Sequence, residues 1–139
     1  MRTLAPSDVK VGDELPALDI PITATLIVAG ALASRDFQDV HHDAALARQR
    51  GAGDIFMNIL TTNGLVGRYI TDWAGPEAIL RKVSIRLGSP NYPGDTMRLT
   101  GHVTLVEGGD VEVSLKGTTG IGEHVSGTVR LTLPGKGKS

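Results

Sequence analysis

Residues 54–73 (DIFMNILTTNGLVGRYITDW) constrain the fold more than any other stretch of this chain. Ile55, Ile59, Val66, Ile70 and Trp73 recur at helical spacing, and Phe56, Leu60 and Tyr69 form a second row beside them. Asp54 is the expected N-cap and Gly75-Pro76 the stop. Two apolar rows cover far more than the narrow stripe of a surface helix, so this helix is expected to be enclosed, and a sheet wrapped around it would enclose it. Gly64 and Gly67 each cost about 1 kcal/mol relative to alanine inside a helix, which close approach of a strand or ligand would offset.

After Pro76 the chain reads as strands. Residues 80–87 alternate weakly, and 96–107 place Met97, Leu99, Gly101, Val103 and Leu105 on one face. Residues 111–118 and 124–133 follow, with turns at Gly108-Gly109-Asp110 and Gly120-Ile121-Gly122. The four are expected to form an antiparallel meander. Ahead of the helix, residues 17–33 (ALDIPITATLIVAGALA) are rich in β-branched side chains and are expected to form a strand bent at Gly30. The polar stretch that follows reads as a loop with a short helix, capped by Asp43, running through Arg50 and ended by Gly51-Ala52-Gly53. The order is strand, short helix, long helix, four strands, an α+β chain of one domain over residues 1–139. Its tail, 134–139, lacks apolar residues and is expected to be mobile. A sheet with a single helix leaves a face or an edge to cover, so a homomeric or heteromeric dimer is expected.

Composition narrows the function. Lys plus Arg number 14 against 15 Asp plus Glu, a net charge of -1, which supplies no basic field for nucleic acid or anionic lipid. With no cysteine there is no disulfide, thiolate metal site or cysteine nucleophile. No apolar run approaches the roughly 18 residues of a membrane helix, and the chain is expected to be a soluble cytoplasmic protein. Chemistry then rests on oxygen and imidazole groups.

The densest polar stretch is Ser34-Arg35-Asp36-Phe37-Gln38-Asp39-Val40-His41-His42-Asp43. Asp36 and His41, five positions apart, can converge across a turn on one small molecule such as water, where an imidazole exchanges a proton and a carboxylate orients it. The alternative is that Asp36 caps a turn, His41 and His42 open a helix, and Asp43 is an N-cap. A His41/His42/Asp43 metal site is disfavoured because sequence neighbours rarely chelate together. His42 is expected to serve a loop or interface, and His102 and His124, in strand patterns, a structural or interfacial role. Ser34 lacks a Gly-x-Ser-x-Gly elbow, and no glycine-rich phosphate loop occurs.

The segment Ser34 to His41 resembles the signature of the MaoC-like hot-dog hydratases, Ser-Gly-Asp-x-Asn-Pro-hydrophobic-His, with Asp36 and His41 in place and Arg35, Gln38 and Asp39 departing from it. Residues 35–43, 54–76 and 122–133 look more closely like the small MaoC-like subunits of actinobacterial hydratases of cholesterol side-chain degradation. The resemblance implies a hot-dog fold, in which one curved antiparallel sheet wraps around a long central helix. It implies hydration of a steroid side-chain enoyl-CoA with Asp36 and His41 activating water, and a backbone N–H at Asn58 holding the thioester oxygen. It further implies a second MaoC-like subunit lacking the Asp and His, in a heterodimer or heterotetramer. No metal and no cofactor beyond the CoA of the substrate is implied, and no nucleic acid or membrane. Two rivals remain at this point: a hot-dog acyl-CoA thioesterase, and a non-catalytic acyl-CoA-binding or scaffold subunit.

Overall fold

The computed structural model describes residues 2–135, so the expected mobile tail lies outside the described residues from 136 onward. Strand β1 (Glu14–Pro21) stops at a proline, and Thr23, whose Oγ1 accepts from the Leu26 N–H at 3.0 Å, opens helix α1 (Ala24–Ala33). The expected strand over 17–33 is therefore a short strand and a helix. Its second half is apolar all round and carries no period to separate the two states, and the Thr23 cap decides for helix. Gly30 is no strand bend: a Cβ there would overlap the Thr61 side chain, so its bareness lets α1 cross the long helix.

Helix α2 (Ala44–Gln49) is capped by Asp43, whose Oδ1 accepts from the Leu46 N–H at 3.1 Å, and ends before Gly51 as its sequence indicates. The long helix α3 (Ile59–Ala74) closes at Gly75 as expected but opens at Asn58, not Asp54. Residues 54–58 approach it with their backbone engaged elsewhere: the Phe56 N–H donates to the Val40 carbonyl and the Met57 N–H to that of Asn91, both at 3.1 Å. Those bonds hold Phe56 and Met57 out of the helix, and Asp54 turns its carboxylate to the adjacent Ile55 N–H.

Strands β2 (Ile79–Leu87), β3 (Thr96–Glu107), β4 (Asp110–Thr119) and β5 (Gly122–Thr132) join β1 in one sheet of order β1-β3-β4-β5-β2, with every neighbouring pair antiparallel. Only β3-β4-β5 form a meander. β2 lies beyond β5, with Val83 opposite Val129, because residues 88–95 form a crossover rather than the roughly two- to five-residue loop of a hairpin. The core lies between the sheet and one side of α3, where Val66, Tyr69, Ile70 and Ala74 meet Met97, Leu99 and Val103 of β3 and their buried neighbours on β4 and β5. A register shift between Val103 and Leu105 removes Leu105 from that face and turns Val106 toward the core.

Enclosure of α3 is one-sided. Ile59 and Leu60 at its start are each about half exposed, and Ile79 and Leu80 of the edge strand β2, the latter beside Gly67, are exposed too. A Cβ on Gly64 would meet nothing within 4 Å, whereas one on Gly67 would touch Leu80.

Candidate active site

Helix α1 ends in a Schellman motif. The Asp36 N–H donates to the Ala31 carbonyl at 2.8 Å and the Arg35 N–H to that of Leu32 at 3.0 Å, while Arg35 takes the left-handed conformation with φ +58°. This is the position of glycine in the resembled signature, and here an arginine takes the left-handed conformation that glycine adopts most readily. The turn projects Asp36 toward the 3-10 turn Asp39–His41, whose last residue is buried.

Asp36 Oδ2 lies 3.3 Å from His41 Nε2, with side chains 24% and 8% exposed respectively, so the pair opens to solvent on the carboxylate side. His41 Nδ1 is 2.7 Å from the Phe56 carbonyl, which can only accept; Nδ1 therefore carries a proton, and whenever the ring is neutral its Nε2 presents a lone pair toward Asp36. The Phe56 ring packs edge-on against the imidazole, centroids 5.0 Å apart at 81°. Two acceptors, Nε2 and Oδ2, then face one point.

Asn58 holds the carboxylate there. Its Nδ2 donates to Asp36 Oδ2 at 3.1 Å and to Ser34 Oγ at 3.0 Å, while its Oδ1 caps α3 by accepting from the Thr61 N–H at 3.0 Å and the Thr61 hydroxyl at 2.6 Å. The amide hydrogen bond from Asn58 is the largest cause that holds the Asp36 carboxyl below the usual carboxylate range; the Gln38 N–H adds to it, as does the charge of the His41 ring when that ring is protonated, against the opposing effect of burial. Asp36 is thus an ionised acceptor. Among the described residues the Asn58 backbone N–H has no hydrogen-bond partner in the chain, and it sits at the positive end of α3.

The remaining candidates separate. Asp43 caps α2, His42 and His102 are exposed, and among the described residues no group of three or more His, Asp or Glu is arranged to hold a metal. His124 is different: it is buried, and it lines one cavity of about 180 Å³ together with His41, Phe56, Asn58 and Leu87. Alternation along β5 did not mark it. Thr118 pairs with Glu123 and Gly117 with Val125, which makes His124 the extra residue of a β-bulge and turns it inward against the period of its strand. A wider depression of about 760 Å³ on the sheet face turned away from α3, beside Arg98, His102 and Lys116, contains none of the Asp36–His41 groups.

A family model described as MaoC like domain matches residues 8–125. The chain is 50% identical over 123 residues to the 3-oxo-4,17-pregnadiene-20-carboxyl-CoA hydratase beta subunit of Mycobacterium tuberculosis, an alignment covering 88% of this chain and 95% of that one. Its structure is similar to a chain of the ChsH1-ChsH2 complex from Mycobacterium tuberculosis, with TM-score 0.88 and 49% identity over 90% of this chain and 98% of that chain. R-hydratase PhaJ1 from Pseudomonas aeruginosa, 20% identical, superposes with TM-score 0.87 over 96% of this chain and 88% of its own, and shares the fold alone. The α+β arrangement of five antiparallel strands curved around one long helix is the hot-dog fold, and with the family match spanning most of its length the chain belongs to the MaoC-like domain family.

Proposed function

We propose that this chain is the catalytic subunit of a hydratase that adds water across the α,β double bond of a steroid side-chain enoyl-CoA. The observation that carries the reading is the 3.3 Å approach of His41 Nε2 to Asp36 Oδ2, both acceptors while the ring is neutral, beside a cavity that His41 and Asn58 line. Two acceptors cannot satisfy one another, but a water molecule can donate one hydrogen to each. As the water oxygen bonds to Cβ, Nε2 takes its proton, Oδ2 holds its second hydrogen, and the electron pair of the double bond moves to the thioester oxygen. The Asn58 N–H and the positive end of α3 stabilise that enolate. The imidazolium then returns its proton to Cα, since an Asp36 held below the usual range is a poor acid. Addition is complete with no cofactor beyond the CoA of the substrate and no metal.

The steroid and the partner rest on the relatives. The Mycobacterium tuberculosis relative is named for a pregnadiene carboxyl-CoA and as a beta subunit, and the similar structure is of a two-component complex. A second MaoC-like subunit, in a heterodimer or heterotetramer, would cover Ile59, Leu60, Ile79 and Leu80. A cavity of about 180 Å³ falls short of the roughly 300 Å³ or more that small-molecule sites enclose, so a steroid needs the wall such a partner would add. Among the described residues no helix is long and apolar enough to cross a membrane. We assign the chain to the cytoplasm, where CoA thioesters are made and consumed.

The test is loss of the enoyl-thioester absorbance with steroidal and straight-chain substrates, using the chain co-expressed with its partner. Hydration of the steroidal substrate is expected, and His41→Ala and Asp36→Asn each should lower it by about 10²- to 10⁴-fold with the complex intact. Retained activity in both variants would sink the reading in favour of a scaffold, and release of free CoA thiol without hydration would support a thioesterase.

A further inference from the structure

The histidine at the β5 bulge occupies the same cavity as His41, yet the hydration chemistry leaves it unused. Its Nδ1 is 2.7 Å from the Ser89 carbonyl and its Nε2 2.8 Å from the Thr62 hydroxyl. The carbonyl can only accept, so Nδ1 carries the proton and, in the neutral ring, Nε2 accepts the Thr62 hydroxyl proton. Burial holds this ring below the ordinary histidine value, which keeps it neutral in that role.

Thr62 stands one helical turn after Asn58. Its hydroxyl has a single proton and two possible acceptors, His124 Nε2 at 2.8 Å and the Asn58 carbonyl at 3.4 Å. Given to the Asn58 carbonyl, that proton would bond back along the helix, a habit of Ser and Thr that bends helices, and here the bend would fall on the turn that carries the Asn58 amide. Given to His124, it anchors the first turn of α3 to a bulged strand and, through Ser89, to the crossover that walls the cavity.

We propose that His124 and Thr62 are positioning residues for the Asp36–His41 site. Their hydrogen bond sets the rotation of the first turn of α3, and with it the aim of the Asn58 amide at Asp36 and of the Asn58 N–H at the thioester oxygen. Bulges recur next to active sites where a strand must re-aim one side chain, and nothing in the alternation of β5 calls for an inward polar residue at 124. The inference rests on the hydratase reading for its kinetic readout, and on Asp36 alone for its second.

The experiment compares Thr62→Val, which keeps shape and loses the hydroxyl, with Thr62→Ser, which restores it, in the intact complex. Thr62→Val is expected to lower kcat about three- to tenfold, the worth of one neutral hydrogen bond, with KM unchanged, and Thr62→Ser to recover most of the loss. In the same variants the Asp36 carboxyl is titrated by NMR, and its midpoint is expected to rise in Thr62→Val and return in Thr62→Ser. His124→Asn, which keeps the Ser89 bond and drops that to Thr62, replaces Thr62→Val should the latter not fold. A wild-type kcat, a loss that serine does not restore, or an unmoved Asp36 midpoint overturns the proposal. A parent complex that hydrates nothing defeats the hydratase reading instead, and the Asp36 titration then decides this one by itself.

Discussion

His41 and His124 share a cavity and, as neutral rings, a tautomer, each giving Nδ1–H to a backbone carbonyl at 2.7 Å, and they differ in what Nε2 meets. At His41 it meets a carboxylate oxygen, an acceptor like itself; at His124 it meets a hydroxyl that donates. The first arrangement is incomplete without a further donor, while the second is closed. A buried imidazole is therefore reactive or structural according to one neighbour, not according to burial or ring orientation. The sharpest way to break the comparison is to make the same substitution at both. His41→Asn keeps a donor for the Phe56 carbonyl but removes the lone pair at Nε2, and should cost about 10²- to 10⁴-fold in hydration. His124→Asn should cost only about three- to tenfold. Equal losses, read from kcat in the intact complex, would erase the distinction.

Asn58→Ala is next in size. It removes the N-cap of α3 and the bond that most lowers the Asp36 carboxyl, so about 1 to 3 kcal/mol of stability should be lost in denaturant unfolding. The drop in kcat should be about tenfold to a hundredfold, with the Asp36 titration midpoint moving up toward the usual range. A loss of stability with an unmoved midpoint would show that Asn58 serves the helix alone.

The roles of these groups were unequally visible along the chain. The five-residue spacing of Asp36 and His41 was legible because both lie in one short loop, where nearness in sequence is nearness in space. The Gly75 stop and the Asp43 cap were legible for the same reason, since caps act over three or four residues. Asn58 was visible only as a backbone donor; its side-chain bond to Asp36 spans 22 positions and depends on α1 crossing α3 at Gly30. His124 reads as structural or interfacial, but its inward aim leaves no signal, because a bulge inverts the strand period that would have placed it. β2 lies outside the meander that its strand pattern suggests, in keeping with the length of 88–95, and Thr23 is the one mark of a helix in 24–33. What failed depends on pairings between distant segments, which a period read along one segment does not record.

Acidity gives His124 and Asp36 separate windows, with smaller effects than the substitutions above. Burial lowers the His124 value on folding, so the unfolded chain binds that proton more readily, and stability falls as pH drops below about 6.5 toward the folded value. Asp36 acts in a different window: its carboxyl is lowered on folding, so its contribution is present above about 3.9 and is lost as pH falls through the folded value. The midpoint of urea unfolding, followed from pH 8 to pH 5, should decline in the parent and decline less steeply in His124→Gln. Parallel declines would mean that another group carries the dependence.

The smallest effect concerns the turn that launches Asp36. A left-handed arginine costs roughly 1 kcal/mol relative to glycine in the folded state, while glycine gives back most of that through the greater freedom of its unfolded chain. Arg35→Gly should therefore change stability by about 1 kcal/mol or less and leave hydration within about twofold of the parent, because the Schellman bonds of Arg35 and Asp36 come from the backbone and survive the change. Arg35→Val is the contrasting case. A β-branched residue at φ +58° is strained beyond what arginine bears, and the strain acts on the residue just before Asp36. If activity falls in the valine variant while the glycine variant matches the parent, the backbone conformation at 35 is what the site requires; if both fall together, the guanidinium itself has a task.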